Sequence, residues 1–313
     1  MLKDLPFGVE IEMTGLTREQ AAKAAAELWN STARHTGRGY DAWEVTDPEG
    51  KVWKFMSDGS ISSERWCNGE YVSANNSEYR VEMVTPKLGF DEIPKLQEAV
   101  RAVRKAHAKV NESCGIHVHI DASRFDNQSL KNLMSIMYSK EDLLFQALQV
   151  PESRVQRWCQ PVREGMLQQA RRMTAGASRS RLERIWYQGD VNRTEHYNWT
   201  RYHALNLHSV FYRGTVEYRM FNSTLHAGRV KAYIHLALGI SSQALEQRGS
   251  QMRKTQSDNP AFTFRTWLLR MGMIGEEYKN TRDHLLASLP GNRAWRYDKD
   301  HYEKSNTRRE PER

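Results

Sequence analysis

The segment SCGIHVHID, Ser113 to Asp121, sets two imidazoles and a carboxylate at every second position, with Ile116, Val118 and Ile120 interleaved. In an extended strand alternate side chains share a face. His117, His119 and Asp121 therefore project one way and the aliphatic residues the other. An apolar face backs a core; a face of titratable groups suits a metal ion or a charged ligand. Three more segments repeat the arrangement. In FGVEIEM, Glu10 and Glu12 alternate with Val9, Ile11 and Met13. In YRVEMVTP, Glu82 lies between Val81 and Met83, with Arg80 on its own face. In GTVEYRMF, Glu217 and Arg219 are two apart, beside Val216 and Met220.

One such strand is ordinary, because Glu is common on the open face of a surface sheet. Four in one chain are harder to dismiss, since burying uncompensated carboxylates costs roughly several kcal/mol each. Divalent cations would offset that repulsion. Glutamate oxygens suit Mg²⁺ or Mn²⁺, and a neutral imidazole tolerates Mn²⁺. Residues i and i+2 stand about 7 Å apart along a strand, so Glu10 and Glu12 are spaced to serve two different ions.

The elements that must position these groups are legible around them. PFGVEIEMTG opens the chain as a strand. LTREQAAKAAAELWN reads as a helix with Thr17 as N-cap and Gln20 closing a capping box. YDAWEVT and KVWKFMSDGS flank the turn DPEG and form a hairpin. EYRVEMVTPKL is a strand, and Ile93, Leu96, Val100 and Val103 make one stripe of a following helix. Residues 127–185 read as a helical segment interrupted at Pro151 and Pro161 and by the small-residue stretch TAGASRS. GTVEYRMFNSTL is a strand, HAGRVKAYIHLALGISSQALEQ a helix, and two smaller helices follow. Strands with one wet face, separated by helices or hairpins, make an α+β protein with a mainly antiparallel sheet and helices on its other face. The reading is a single domain over 1–290 and a charged, disordered tail over 291–313.

The 313 residues carry 46 Lys and Arg against 38 Asp and Glu, a net charge of +8. The excess is uneven: Arg154, Arg157, Arg163, Arg171, Arg172, Arg179, Arg181 and Arg184 face only Glu164 and Glu183 in their segment. That segment is either a solvated helical face or a basic wall for phosphates or an acidic substrate. No DNA- or RNA-reading motif accompanies it. No run of about 18 apolar residues exists to span a membrane, and the start of the chain lacks the apolar core of a secretory signal. Cys67, Cys114 and Cys159 are scattered, without a CxxC pair, which fits reduced thiols and a cytoplasmic protein. His107, His208 and His235, and Trp29, Trp43 and Trp53, read as structural, and Cys114 as a small buried residue.

FGVEIEM, WKFMSDGSI, RVEMVTP, CGIHVHID, RYHALNL and GTVEYRMFNSTL, in this order, resemble the amidoligase family. That family joins the glutamate–cysteine ligases among carboxylate–amine ligases with a glutamine synthetase-like catalytic fold, a curved sheet binding metal on its concave face. The likeness runs from about Phe7 to Leu238 and rests on the ordered set rather than on any single motif. It implies metal ligation by Glu10, Glu12, Glu82, His117 and Glu217. It implies contact of His119 with nucleotide phosphate or substrate, and of Arg219 with the substrate carboxylate or the transferred phosphate. Arg201 and Asn206 would lie near nucleotide or substrate. Asp58, in the DGS segment, is either an ordinary turn residue or a group facing the site. The implied reaction is ATP-dependent amide formation through an acyl phosphate, with Mg²⁺ or Mn²⁺, on a small-molecule or peptide carboxylate and an amine. Asp58 or Glu78 would take the amine's proton. No P-loop or dinucleotide fingerprint is present; the family binds nucleotide without one.

Two other readings compete. HVHID resembles the HxHxDH run of metal-dependent hydrolases but has Ala122 where the last histidine would stand. A basic nucleic-acid-binding module accounts for the charge but not for acids and histidines arranged on strand faces.

Overall fold

The computed structural model describes residues 2–297 apart from Arg38, Ala175 and Ser250. The strands are β1 (Phe7–Met13), β2 (Ala33–Gly37), β3 (Ala42–Thr46), β4 (Val52–Met56), β5 (Glu64–Cys67), β6 (Glu70–Ser73), β7 (Val81–Val84), β8 (Gly115–Asp121), β9 (Leu205–Asn206) and β10 (Thr215–Asn222). The helices are α1 (Arg18–Leu28), α2 (Ile93–Lys105), α3 (Asn127–Leu148), α4 (Glu152–Arg157), α5 (Glu164–Arg171), α6 (Arg179–Trp186), α7 (His208–Arg213), α8 (Ala227–Glu246), α9 (Pro260–Arg270) and α10 (Lys279–Leu286). The protein is α+β, as the alternation of wet-faced strands and helices predicts.

Eight strands form one sheet in the order β2-β3-β4-β7-β1-β8-β10-β9, and every paired neighbour is antiparallel. The register is fixed by the aliphatic face: Val9 opposes Val118, and Ile11 opposes both Ile116 and Met83. These residues are buried with Phe55, Val81 and Tyr218 beneath α1, α2, α3 and α8. A one-residue slip of β1 would turn its glutamates into this core, which makes the pairing strongly specified. The capping box of α1 forms as read, Thr17 accepting from Gln20 N while the Gln20 side chain accepts from Thr17 N. The α2 stripe of Ile93, Leu96, Val100 and Val103 is buried as its spacing predicts, at roughly 1.5–3 kcal/mol per side chain.

The hairpin β3–β4 forms around DPEG, and its first turn residue organises more than the turn. Asp47 Oδ1 accepts from the amides of Glu49 (3.1 Å) and Lys51 (2.8 Å), while Oδ2 accepts from Trp53 Nε1 (3.0 Å) and Lys95 Nζ (3.0 Å). It thereby ties the hairpin to α2.

Two features went unread in the sequence. The hairpin β5–β6 turns on Asn68 and Gly69, both at positive φ (49° and 93°), a conformation that Asn-Gly supplies readily. Strand β2, short and half-wet, extends the sheet edge. The segment 127–185 divides into α3, α4, α5 and α6 rather than one run. Of the tail, residues 291–297 are described, and Asn259 donates to the carbonyls of Trp295 (2.8 Å) and Arg296; 298–313 lie outside the described residues. No described helix is long and apolar enough to cross a membrane.

Replacing Asp47 by Ala strands the Trp53 indole N–H and removes one of the three carboxylates around Lys95, leaving Glu49 and Glu92. We expect it to cost about 2–4 kcal/mol in urea unfolding at pH 7, with the slope unchanged. The neighbours of Asp47 hold its carboxyl below the usual range against the effect of burial. Its stabilisation is thus present above the unfolded pKa and lost as pH falls, so the Asp47→Ala deficit should shrink below about pH 4.

Candidate functional site

The open face of the sheet gathers the titratable residues. Cross-strand register sets Glu10 opposite His117, Glu12 opposite Glu82, and Glu217 opposite both His119 and Asn206. A bulge in β10 between Tyr218 and Phe221 shifts the register there and leaves Arg219 on the same side as Glu217. His117 Nδ1 lies 3.1 Å from Glu10 Oε2 and 3.8 Å from Glu217 Oε1, and its Nε2 lies 3.9 Å from Glu12 Oε1. His119 Nε2 is 3.4 Å from Glu10 Oε2 and 3.9 Å from Glu217 Oε1, and makes no hydrogen bond. Three trios each bring one donor atom per residue within 4.8 Å of the others: Glu10, Glu82 and His117; Glu10, His119 and Glu217; Glu12, Asp58 and Glu82. The trios share Glu10 and Glu82, so they form one continuous centre.

Charge is distributed unequally across it. Burial works against ionising Glu10 and Glu217, but His119 and His117 outweigh it at Glu10, and Arg219 and His119 do so at Glu217. Glu10 is held well below the ordinary range and Glu217 at about 2. The other two carboxyls have no such support. Burial, with Asp58 beside it, pushes Glu12 up to about 8 despite the Gly115 amide and Arg219. Burial and the charges of Glu10 and Glu12 drive Glu82 well up. Burial, then Arg219, lowers His117 to about 4, so its imidazole is neutral and free to donate a lone pair. His119 moves the other way, the carboxylates of Glu10 and Glu217 outweighing burial. A site with one face ionised and the other protonated for want of a counter-charge is chemically suited to a divalent cation.

A shell of uncharged groups fixes the ligand atoms. Asn206 Nδ2 donates to Glu217 Oε2 (2.6 Å), Thr215 Oγ1 meets His119 Nδ1 at 3.0 Å, and Ser209 Oγ meets Thr215 Oγ1 at 2.8 Å. The Gly115 amide donates to Glu12 Oε2. Asn206 is therefore a support for Glu217 here rather than a wall of the cleft. Arg213, at the end of α7, donates to Glu10 Oε1 at 3.3 Å. None of Thr215, Ser209 or Arg213 carries a sequence signal, because each acts through register or through the end of a short helix.

Above Glu12 and His117 opens a cavity of about 860 Å³ whose walls include Asp58, Arg219, Arg201, Arg154, Arg157 and Trp158. Both readings of Asp58 hold at once: Oδ1 accepts from Ser60 N (2.7 Å) and Ser60 Oγ (2.6 Å) in a turn, and the residue faces the cavity. Arg201 lies over Tyr197 (5.4 Å) and donates to His196 O. Glu78 is exposed and outside the cavity wall. Asp121 shares the His face but is engaged by Lys87 (2.5 Å) and Ser123, and joins none of the trios. The basic wall, one of the two readings of the arginine-rich segment, is not one surface. Arg154 and Arg157 reach the cavity, whereas Arg163, Arg181 and Arg184 line a separate depression.

The antiparallel sheet of this α+β protein thus gathers carboxylates and imidazoles into one centre, and Glu12, His117 and Arg219 line the cavity beside it. The chain belongs to the amidoligase family: the family described as "Putative amidoligase enzyme" matches residues 3–241, a span that holds all these residues. A search of the curated proteins finds no match.

The frustration at Glu12 and Glu82 predicts a paired outcome. Unfolded, both carboxyls ionise in the usual range; folded, they keep their protons to higher pH, so each costs stability as pH rises above that range. Glu12→Gln and Glu82→Gln should therefore raise the melting temperature at pH 8 and leave it unchanged near pH 4. Mn²⁺ should stabilise the unaltered protein by about 2.7 kcal/mol at a hundredfold excess over Kd, and Glu82→Gln should lose that gain. Calorimetric scans with and without Mn²⁺ check both halves.

Proposed function

We propose that this protein is an ATP-dependent carboxylate–amine ligase that makes an amide through an acyl phosphate. The acceptor would be an amino acid, a peptide or a related small acid. The observation that carries the reading is the convergence of Glu10, Glu12, Glu82, Glu217, His117 and His119 into one centre, of which Glu12 and His117, with the buried, ion-paired Arg219, line the cavity.

The donor set fits hard divalent cations: four glutamates and two imidazoles, with His119 Nε2 buried and unbonded. Bound there, Mg²⁺ or Mn²⁺ would neutralise charge on the phosphoryl oxygens. The residues of the chain do the rest. Arg219, paired with Glu217 and with Nε free, offers a guanidinium edge to the substrate carboxylate or to the phosphoryl group in transfer. The carboxylate oxygen bonds to the γ-phosphorus as ADP leaves. The amine nitrogen then bonds to the acyl carbon as phosphate leaves, and its proton goes to a base. Asp58 has a carboxylate oxygen outside its turn and faces the cavity; Glu78 does not. Asp58 is the base of this proposal. Arg201 and the tyrosines beside it would border the nucleotide or the acid.

The test is phosphate release from ATP in a screen of amino acids and short peptides as acid and amine. Release is expected only with Mg²⁺ or Mn²⁺ and an acid–amine pair. Arg219→Lys should lower kcat about a hundredfold, and Glu10→Gln or Glu217→Gln should lower it further. Release that survives Glu10→Gln at full rate refutes the reading.

A further inference from the structure

One buried cation beside the site has no counter-ion. Arg154, on α4, is only 6% exposed. Among the described residues its guanidinium meets no carboxylate at ion-pair distance. Its hydrogen bonds are two long ones to backbone, NH1 to Cys114 O (3.3 Å) and NH2 to Phe221 O (3.4 Å), and its Nε has no partner. Glu12 feels its charge through space but gives Oε2 to the Gly115 amide. Arg219, in the same cavity, is balanced by Glu217; Arg154 is not. Burying a charge without a partner is expensive, and neutral carbonyls at such distances return little of that cost.

The position is nevertheless built. Gly115 leaves a gap against which the guanidinium lies: a Cβ there would stand 2.7 Å from Arg154 NH2. Asn222, the last residue of β10, donates to Leu148 O (3.2 Å) and Gln149 O (3.0 Å), fixing the end of α3 just before α4 begins. Gly115 and Asn222, which oppose each other at one end of the β8–β10 pairing, thus serve to hold one arginine at the cavity wall, next to Ser113, Ser153 and Trp158. Arg157, one turn on, lies over Trp158 at the same wall (4.6 Å).

We propose that Arg154 is an anion subsite that binds a second, non-reacting acidic group of the carboxylate substrate. The substrate class is then a diacid or another acid with an additional carboxylate, rather than a simple monoacid. The spacing is compatible: Gly115 and His117 are two residues apart on β8, about 7 Å, so one small molecule can set one carboxylate against Arg154 and the other at the centre. The inference deepens the ligase reading and rests on it for the fate of the second carboxylate.

Binding is tested without turnover. The full chain, loaded with Mn²⁺, is titrated calorimetrically with glutarate and with butyrate, which lacks the second acid. Glutarate should bind about ten- to a hundredfold more tightly. Arg154→Gln and Arg154→Lys should bring the two acids to near-equal affinity, the Lys variant keeping the buried charge should Gln unfold the protein. Arg184→Gln, in the same segment but outside the cavity, should keep the preference. Absence of glutarate binding, equal binding of both acids by the unaltered protein, or a preference that survives the Arg154 variants overturns the proposal. An Arg154-dependent preference in a protein that never releases phosphate from ATP would uphold the subsite and remove the ligase reading instead.

Discussion

Repulsion between buried carboxylates is the constraint around which the molecule is organised. Glu12, Glu82 and Glu217 are each less than a tenth exposed, and Glu10 stands among them. A sheet can hold such a group only where the opposite face is strongly specified, because the cheapest relief is to slip the register and turn the carboxylates away. Val9, Ile11, Val118 and Ile116 prevent that, each opposed to another buried aliphatic side chain. The relief that remains is local. Histidines on β8 and Arg219 on β10 stabilise charge on Glu10 and Glu217, while Glu12 stays protonated toward pH 8 and Glu82 stays protonated well above the usual carboxylate range. A cation bound at the proposed centre would return the stability spent on this arrangement, a common relation between strain and function.

Much of this was legible because it is local. Alternation of His117 and His119 with aliphatics, of Glu10 and Glu12 with aliphatics, and of Glu217 with Arg219 reads directly as strand faces, and the capping box at Thr17 and Gln20 reads directly as a helix start. Which strands neighbour one another is not local. β1 lies between β7 and β8, and only that order brings Glu82 to Glu12 and His117 to Glu10. The supporting shell was illegible for the same reason. Asn206 supports Glu217 because a two-residue strand happens to pair there, and Arg213 reaches Glu10 from the end of a six-residue helix. The β5–β6 hairpin is a different kind of miss. Its Asn68-Gly69 turn was in the sequence, but Trp66 and Tyr71 beside it alternate too weakly with polar residues to announce strands.

The arginine-rich segment shows how little charge density says about placement. Eight arginines over one stretch read equally as a solvated helical face or a single basic wall. The helices that carry them face in different directions, and α4 alone turns its arginines to the cavity. The cause lies at its beginning. Gln149 adopts a left-handed conformation (φ 51°) that ends α3, Asn222 holds the carbonyls there, and Pro151 starts α4 on a new axis. Arg154 and Arg157 inherit that axis; Arg163, Arg181 and Arg184, on or beside α5 and α6, do not.

Gly115 joins the two halves of the site. Its amide donates to Glu12, and its missing side chain admits Arg154. The positive potential of Arg154 eases ionisation of Glu12 but also opposes a cation beside it. In the proposed complex an anion seated on Arg154 would cancel that opposition, and so would strengthen cation binding near Glu12. Linkage requires the cation to strengthen the anion by the same factor. The order in which the two arrive is then immaterial to the final complex. What the fold must supply is proximity, and one glycine on β8 supplies it to both.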